Sequence, residues 1–248
     1  MPDLLTAELS AFSYIRDNLE GVRARLTAAA ARAGRPVPQL IAVTKSATDE
    51  EVAALLRFGV DAIAENRPQL FTVRRGILAA LREEGYALST EIHLIGNLQT
   101  NKIKYVIGEA ALIQSLGTLR LAEELNRQAE RRGIVAPVLI EVNSGREEQK
   151  GGITPEDVPA FCRALTHLSH LAPRGLMTMG PDCDDPEGYR PYFALTRRLA
   201  EGLAGDGLLP HAPILSMGMS GSYEVAAEEG ATHVRVGRTL FRKPTENA

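Results

Sequence analysis

Eight short apolar runs, separated by helical patterns, constrain the fold of this chain more than any other feature of its sequence. The runs are Leu40–Val43, Val60–Ala64, Ile92–Ile95, Ala111–Ile113, Val138–Val142, Gly175–Met177, Ile214–Ser216 and His233–Val236. Continuously apolar runs are typical of parallel strands that helices cover on both faces. Eight such strands joined by helices predict an α/β fold, a single (β/α)8 barrel of the TIM type. The alternative is a doubly wound open sheet, which the number of runs disfavours.

A helical pattern precedes the first run. Its apolar residues recur every three or four positions from Leu5 to Leu26, and the segment Gly34–Pro38 ends it. We expect an extra N-terminal helix within residues 1–34 that packs on the barrel, with a coiled coil as the alternative. A length of 248 residues suits one barrel domain over residues 1–248. Residues 242–248 would form a short polar tail.

Composition excludes several function classes. A net charge of −3 leaves no surplus of basic residues for general nucleic-acid binding. The two cysteines, Cys162 and Cys183, form no CxxC pair, so we expect neither a structural metal site nor a disulfide framework. The N-terminus lacks the pattern of a signal peptide and no run is long enough to cross a membrane. We therefore expect a cytoplasmic protein with no nucleic-acid or membrane partner. We also expect a monomer, although none of these features determines the oligomeric state.

Lys45 is the residue that most directly indicates chemistry. It closes the first apolar run, and in a parallel barrel the carboxyl ends of the strands form the mouth where functional residues gather. An amine that rises from a buried wall is partly desolvated, which favours the neutral form that attacks a carbonyl carbon. The sequence thus predicts a Schiff-base lysine. A lysine that extends into solvent at a strand end is the alternative.

Two segments predict a phosphate site. Ser220-Gly221 follows the seventh run and Gly237-Arg238 follows the eighth, and both stand where helices are expected to begin. Main-chain N–H groups at helix starts bind anions, and the loops after strands seven and eight often hold phosphate in barrels. Ordinary turn glycines with an N-cap serine are the alternative.

Arg235 stands inside an otherwise apolar run. Its neighbours in sequence would face the outer helices, so Arg235 is expected to face the barrel interior, where it needs a partner. A ring nitrogen of a ligand and a carboxylate are both suitable partners, and an internal salt bridge is the structural alternative. His93 would serve as an acid–base group or as a hydrogen-bonded core histidine.

Taken together, these residues resemble a known family, the YggS/PROSC pyridoxal 5′-phosphate (PLP) homeostasis proteins. The similarity covers residues 40–241. The segments that carry it are Ala42–Lys45, Glu65–Arg67, His93–Lys102, Val142-Asn143, Gly175–Met179, Leu215–Ser220 and Val234–Gly237. The resemblance implies a fold like the N-terminal barrel domain of alanine racemase, without the β-rich second domain of that enzyme.

The resemblance also implies site residues, each by its match to a family segment. Lys45 matches the lysine that binds PLP covalently. Ser220 and the backbone of Gly237 and Arg238 match the phosphate contacts, and Arg235 matches the arginine that faces the pyridine nitrogen. Asn66 matches a residue close to the cofactor. No catalytic residue and no metal ligand is implied.

The function that this resemblance implies is PLP homeostasis. An arginine cannot accept the ring proton, so it weakens the electron withdrawal on which PLP enzymes depend. We therefore expect a carrier that holds PLP on Lys45 and releases it to acceptors such as apo PLP-dependent enzymes. One alternative is a PLP-dependent racemase or related enzyme, for which His93 and Tyr223 are the available acid–base residues. Another is a sugar-phosphate isomerase without PLP.

Overall fold

Eight parallel strands form the centre of the molecule. The computed structural model describes residues 8–147 and 149–244. The strands pair in sequence order and β8 pairs with β1, so the sheet closes into a barrel. Their bounds are β1 Gln39–Val43, β2 Ala62–Glu65, β3 Glu91–Leu94, β4 Leu112–Leu116, β5 Ala136–Val142, β6 Leu171–Thr178, β7 Ile214–Ser216 and β8 His233–Val236. Each predicted run overlaps one strand, which confirms the predicted (β/α)8 barrel.

Helices surround the strands. The α-helices are α1 Ser13–Arg32, α2 Asp49–Arg57, α3 Pro68–Glu83, α4 Leu119–Arg131, α5 Val158–Leu165, α6 Arg190–Gly205 and α7 Tyr223–Glu228. Short 3-10 helices cover Leu9–Phe12, Thr100–Tyr105 and Pro186–Tyr189. The connection from β3 to β4 therefore contains a 3-10 helix where an α-helix was expected. Across the two described ranges, no helix has the length and apolar character needed to cross a membrane.

The N-terminal helix packs on the barrel, as the sequence predicts. Four of its predicted apolar positions are at most 1% exposed, namely Ile15, Leu19, Val22 and Leu26. Asn18 of α1 donates hydrogen bonds from Nδ2 to the carbonyls of Leu240 and Arg242, at 3.1 and 2.9 Å. These bonds join the first helix to the chain that leaves β8. Leu5, the first residue of the predicted apolar face, and residues 245–248 of the predicted tail lie outside the described residues.

Two small apolar clusters fill part of the barrel interior. Ile41, Ala62 and Ala64 form the first, and Leu112, Leu139 and Met177 form the second. Alternate residues of a strand point to opposite faces of the sheet. Arg235 pairs alongside Ile41 in the β8–β1 register, so its side chain also enters the interior.

Candidate functional site

The carboxyl ends of the strands form one mouth, and the predicted site residues occupy one half of it. Lys45 follows β1 and Asn66 follows β2, while Ser220 follows β7 and Gly237 follows β8. Strands β7, β8, β1 and β2 are consecutive in the closed sheet. The structure thus brings together four residues that come from opposite ends of the sequence. We call this region the anchored half of the mouth.

The turn that carries Lys45 is held by a buried ion pair. Arg74 of α3 is 2% exposed and donates from Nε to Oε1 of Glu65 at 2.9 Å. The same carboxylate oxygen accepts a hydrogen bond from the Thr44 hydroxyl at 2.6 Å. Arg74 also donates from Nη2 to the carbonyls of Thr44 and Ala47, at 3.2 and 3.0 Å. Because these carbonyls flank Lys45, the ion pair fixes the backbone on both sides of the lysine.

The start of α2 adds a second restraint to this turn. The hydroxyl of Thr48 accepts a hydrogen bond from the N–H of Glu51 at 3.2 Å, and the Glu51 carboxylate accepts one from the N–H of Thr48 at 2.9 Å. This reciprocal capping box satisfies two N–H groups that the first turn of a helix leaves free. The helix therefore begins at a fixed position, Asp49, four residues beyond Lys45.

The environment of Lys45 differs from the sequence prediction. The side chain was expected to be partly desolvated, but Lys45 is exposed, as is the neighbouring Ser46. The strand ends at Val43, so Lys45 lies in the turn beyond the strand rather than on the buried wall. The expectation of a partly buried amine is therefore wrong. An exposed amine at a fixed backbone position is accessible to a carbonyl compound that enters from solvent.

Arg235 is buried inside the barrel, as predicted, and its partners are uncharged. It donates from Nη1 to the hydroxyl of Ser216 at 2.7 Å and from Nη2 to the carbonyl of Thr178 at 2.9 Å. No carboxylate of the described residues forms an ion pair with it, so the alternative of an internal salt bridge is wrong. Burial lowers the pKa of Arg235 to about 10, which leaves the guanidinium charged at neutral pH. Its remaining N–H groups are free to donate to a ligand.

A chain of hydrogen bonds continues from Arg235 through the barrel. Ser216 donates to Oε1 of Gln114 at 2.6 Å, and Gln114 donates from Nε2 to Nδ1 of His93 at 2.9 Å. His93 then contacts Oε2 of Glu91 through Nε2 at 3.1 Å. Because the amide N–H must donate, Nδ1 of His93 accepts and Nε2 carries the hydrogen. His93 is thus a hydrogen-bonded core histidine, and the last bond lowers the pKa of Glu91.

The predicted phosphate site is built from a serine and main-chain N–H groups. The N–H groups of Gly237 and Thr239 both point at Oγ of Ser220, at 3.3 and 3.4 Å. Converging N–H groups of this kind favour an anion, and here they donate to the serine oxygen. Gly237 also approaches β1 closely, since a Cβ atom at this position would lie 3.1 Å from the carbonyl oxygen of Val43.

The two expected helix starts at this site are not where the sequence placed them. After β8 the chain forms a turn closed by Leu240 N–H to the carbonyl of Gly237 at 2.9 Å, and no helix follows within the described residues. After β7, helix α7 begins at Tyr223, three residues beyond Ser220. The N–H donors therefore come from a turn rather than from a helix. The side chain of Arg238 is exposed, so only its backbone belongs to this turn.

Asn66 lies where β2 meets the loop after β3. A Cβ atom at Gly96 would lie 2.1 Å from the carbonyl oxygen of Asn66, so only glycine allows this approach. Asn66 and Asn97 line the same cavity of about 250 Å³. The side chain of Asn66 makes no hydrogen bond to any described residue, so its amide is available to a ligand.

Both residues named for acid–base catalysis are buried, although Tyr223 lines the same cavity as Ser220 and Thr239. His93 is 1% exposed and hydrogen-bonded on both ring nitrogens. Tyr223 is 4% exposed and packs in the core outside the strands. Burial raises its pKa, which disfavours the phenolate that a base would need.

Sequence reasoning missed the residues that hold the site in place. Arg74, Gln114 and Ser216 lie on three separate elements, and each is buried. A charged or amide side chain within an apolar helix face or strand is the signal that could have identified Arg74 and Gln114. Glu141 gives the same signal within the fifth run and was not selected.

The residues of the anchored half fit the groups of PLP. The converging N–H groups at Ser220 suit a phosphate, and a donor-only guanidinium suits an unprotonated ring nitrogen. The Lys45 amine suits an aldehyde. The fit therefore rests on the hydrogen-bond donors and the amine that these residues supply, and on their positions at one half of the mouth.

Comparison with known proteins first defines the class. The family described as alanine racemase, N-terminal domain, matches residues 18–243. Alanine racemase from Clostridium difficile 630 has the same fold, with a TM-score of 0.70 at 20% sequence identity. The match covers 95% of this chain and 58% of the racemase. The chain is therefore a barrel of the alanine racemase N-terminal type, as predicted.

The relatives then define the family within that class. The pyridoxal phosphate homeostasis protein of Aquifex aeolicus is 41% identical over 229 residues, which are 91% of this chain and 96% of the relative. PipY of Synechococcus elongatus PCC7942, solved with PLP bound, has a TM-score of 0.78 at 29% identity and covers 92% of this chain and 100% of its own. The chain belongs to the pyridoxal phosphate homeostasis protein family, which confirms the resemblance stated above.

Proposed function

We propose that the protein binds PLP as a Schiff base on Lys45 and releases it to acceptor amines, including those of apo PLP-dependent enzymes. The observation that carries the proposal is the meeting of an accessible amine, a buried arginine and two converging N–H groups in the anchored half. The PLP bound to PipY supports the same ligand. When bound, PLP would supply an aldehyde that exchanges between amines.

Each residue has a distinct task in this proposal. Ser220, with the backbone of Gly237 and Arg238, would hold the phosphate and give most of the affinity. Arg235 would donate a hydrogen bond to the ring nitrogen and keep it unprotonated. Asn66, whose side chain is free of described partners, would contact the bound molecule from β2.

A carrier role follows from the same chemistry. An arginine at the ring nitrogen limits electron withdrawal, because the nitrogen gains no proton. The two residues named as acid–base candidates, His93 and Tyr223, are buried, at 1% and 4% exposure. The relatives are named homeostasis proteins, which supports holding and release rather than turnover.

Absorption spectroscopy of the full chain tests the proposal. We expect the protein incubated with PLP to show a visible band that borohydride abolishes. Lys45→Ala should show no such band, whereas Lys104→Ala, which removes an exposed lysine of the 3-10 helix at Thr100–Tyr105, should resemble the parent protein. A retained band in Lys45→Ala would refute the assignment of the lysine.

A further inference from the structure

The other half of the mouth contains a cavity that the PLP site does not use. It has a volume of about 710 Å³ and lies at the ends of β3, β4, β5 and β6. Its lining includes Asn97, Ser115, Arg120, Glu141 and Met179. The six residues assigned to PLP do not line it. We call this region the open half of the mouth.

Glu141 is the charged group at the base of the open half. It lies on β5, and neither a hydrogen bond nor an ion pair joins its carboxylate to any described residue. Glycines surround that carboxylate, since a Cβ atom at Gly117 or Gly151 would lie 3.8 Å from Oε2. Burial raises the pKa of Glu141, because the described residues donate no hydrogen bond that would stabilise its charged form. A half-buried carboxylate without a donor has lost part of its hydration, and a bound cation would compensate for that loss.

An electrostatic interaction between Arg235 and Glu141 connects the open half with the proposed PLP site. The guanidinium of Arg235 acts on Glu141 and opposes the effect of burial on its pKa. Arg235 is itself assigned to the pyridine ring. The geometry agrees, because Arg235 donates to the carbonyl of Thr178 and the preceding residue, Met177, pairs with Glu141 across β5 and β6. On the rim, Gly96 of the cavity lining contacts Asn66 of the anchored half.

We propose that the open half binds the primary ammonium group of the molecule that takes PLP from the protein, and that Glu141 is the residue that holds it. A carboxylate accepts hydrogen bonds and a primary ammonium donates three, so the two are complementary. The space left by Gly117 and Gly151 admits a small head group to the carboxylate. This inference rests on the proposed function, because release by exchange requires an incoming amine.

Binding can be measured without PLP. Met179 lines the cavity, so its methyl group, labelled with carbon-13, reports on occupancy when the full unloaded chain is titrated with ethylammonium. The buried Met217, which follows β7, serves as an internal reference. We expect a saturable shift of the Met179 signal in the parent protein. Glu141→Gln should raise the dissociation constant about tenfold, the effect of losing a charge-assisted hydrogen bond.

Two further variants make the result decisive. Glu109→Gln removes an exposed carboxylate that pairs with Arg75, and it should bind ethylammonium like the parent. Gly151→Ala keeps Glu141 but fills the space beside its carboxylate, so it should also weaken binding if Glu141→Gln fails to fold. A parent-like dissociation constant in either Glu141→Gln or Gly151→Ala would overturn the proposal. So would the lack of a saturable shift in the parent.

The same titration distinguishes two sources of the ammonium group, a free amino acid and a lysine side chain of a recipient protein. Arg120 on the rim suits the carboxylate of a free amino acid. If glycine binds more tightly than ethylammonium, and Arg120→Ala removes only that advantage, the acceptor is a free amino acid. Equal affinities indicate a lysine side chain of a recipient protein. Either result retains the role of Glu141.

Borohydride reduction of the PLP adduct at Lys45 tests the proposed function independently of the ammonium titration. Glu141→Gln loaded with PLP should give the same borohydride-stable product as the parent. If the parent gives no product at Lys45, the proposed function fails, while the titration without PLP still decides whether Glu141 binds an ammonium group.

Discussion

The anchored half and the open half of the mouth differ in whether the buried or half-buried charged groups beneath them have hydrogen-bond partners. In the anchored half, Arg235 and Ser220 have partners within 3.4 Å, and the turn of Lys45 is fixed by Arg74. In the open half, the carboxylate of Glu141 makes no hydrogen bond to a described residue and glycines surround it. One barrel mouth thus combines a hydrogen-bonded half with a half that contains an unpaired carboxylate, which is the arrangement that the proposed binding and exchange require.

The largest expected effect concerns the turn of Lys45. Arg74→Leu leaves the carboxylate of Glu65 buried without its cation, since Glu65 is 0% exposed. Removing one partner of a buried ion pair costs about 3–5 kcal/mol. We expect a loss of this size in the free energy of unfolding, measured by urea denaturation.

The neighbouring residue provides the matched control. Arg75 pairs with Glu109 at 3.1 Å, and both side chains are 42% exposed. Exposed pairs contribute about 0–1 kcal/mol, so Arg75→Leu should change stability by no more than this. Equal losses for the two variants would contradict the view that the anchored half depends on the buried pair.

The next effect concerns the chain of hydrogen bonds inside the barrel. Gln114→Leu leaves the Ser216 hydroxyl without an acceptor and Nδ1 of His93 without a donor, which should cost about 2–3 kcal/mol of stability. Gln128→Leu is the control, because its amide bonds only to Glu124 on the surface of α4. Thermal unfolding of both variants would measure the difference. A stability of Gln114→Leu equal to that of the control would show that the chain does not hold Arg235.

A smaller effect is expected from pH. Burial lowers the pKa of His233 from 6.5 to about 4, and the charge of Arg235 contributes to the same shift. The unfolded chain therefore binds a proton at this residue more readily than the folded chain between these pH values. Stability should fall as pH decreases from 6.5 to about 4, by about 2 kcal/mol from this residue.

Substitution isolates that contribution. In His233→Gln the dependence of unfolding free energy on pH should be shallower over this interval. His211→Gln, at an exposed position, should keep the slope of the parent. An unchanged slope in His233→Gln would assign the acid sensitivity to other groups.

The smallest effect is on affinity. Ser220→Ala removes one hydroxyl at the converging N–H groups, so PLP should bind about tenfold more weakly, or about 1.4 kcal/mol. Ser169→Ala, an exposed serine before β6, should bind like the parent. Fluorescence titration with PLP measures both. Equal PLP affinities of Ser220→Ala and Ser169→Ala would contradict the assignment of the phosphate to Ser220.

Much of the barrel was predictable because its signals are local. The eight apolar runs predicted eight strands, and Arg235 was predicted to face inward because its run is otherwise apolar. Strand ends then placed Lys45 and Ser220 at one mouth. These inferences need only neighbouring residues and the geometry of a parallel barrel.

The rest depends on contacts between distant parts of the chain. Gln114 and Ser216 are 102 positions apart, yet they share a hydrogen bond of 2.6 Å. No local pattern specifies that pair, nor the pairing of Arg74 with the turn of Lys45. The exposure of Lys45 was mispredicted for a similar reason, because burial at a strand end depends on the loops of neighbouring strands.

The most direct test of the account is to locate the added mass after borohydride reduction of the protein loaded with PLP. The account predicts that peptide mapping by mass spectrometry finds one reduced phosphopyridoxyl group, on the peptide that contains Lys45. Reduced product on other lysines, with residue 45 unmodified, would contradict it.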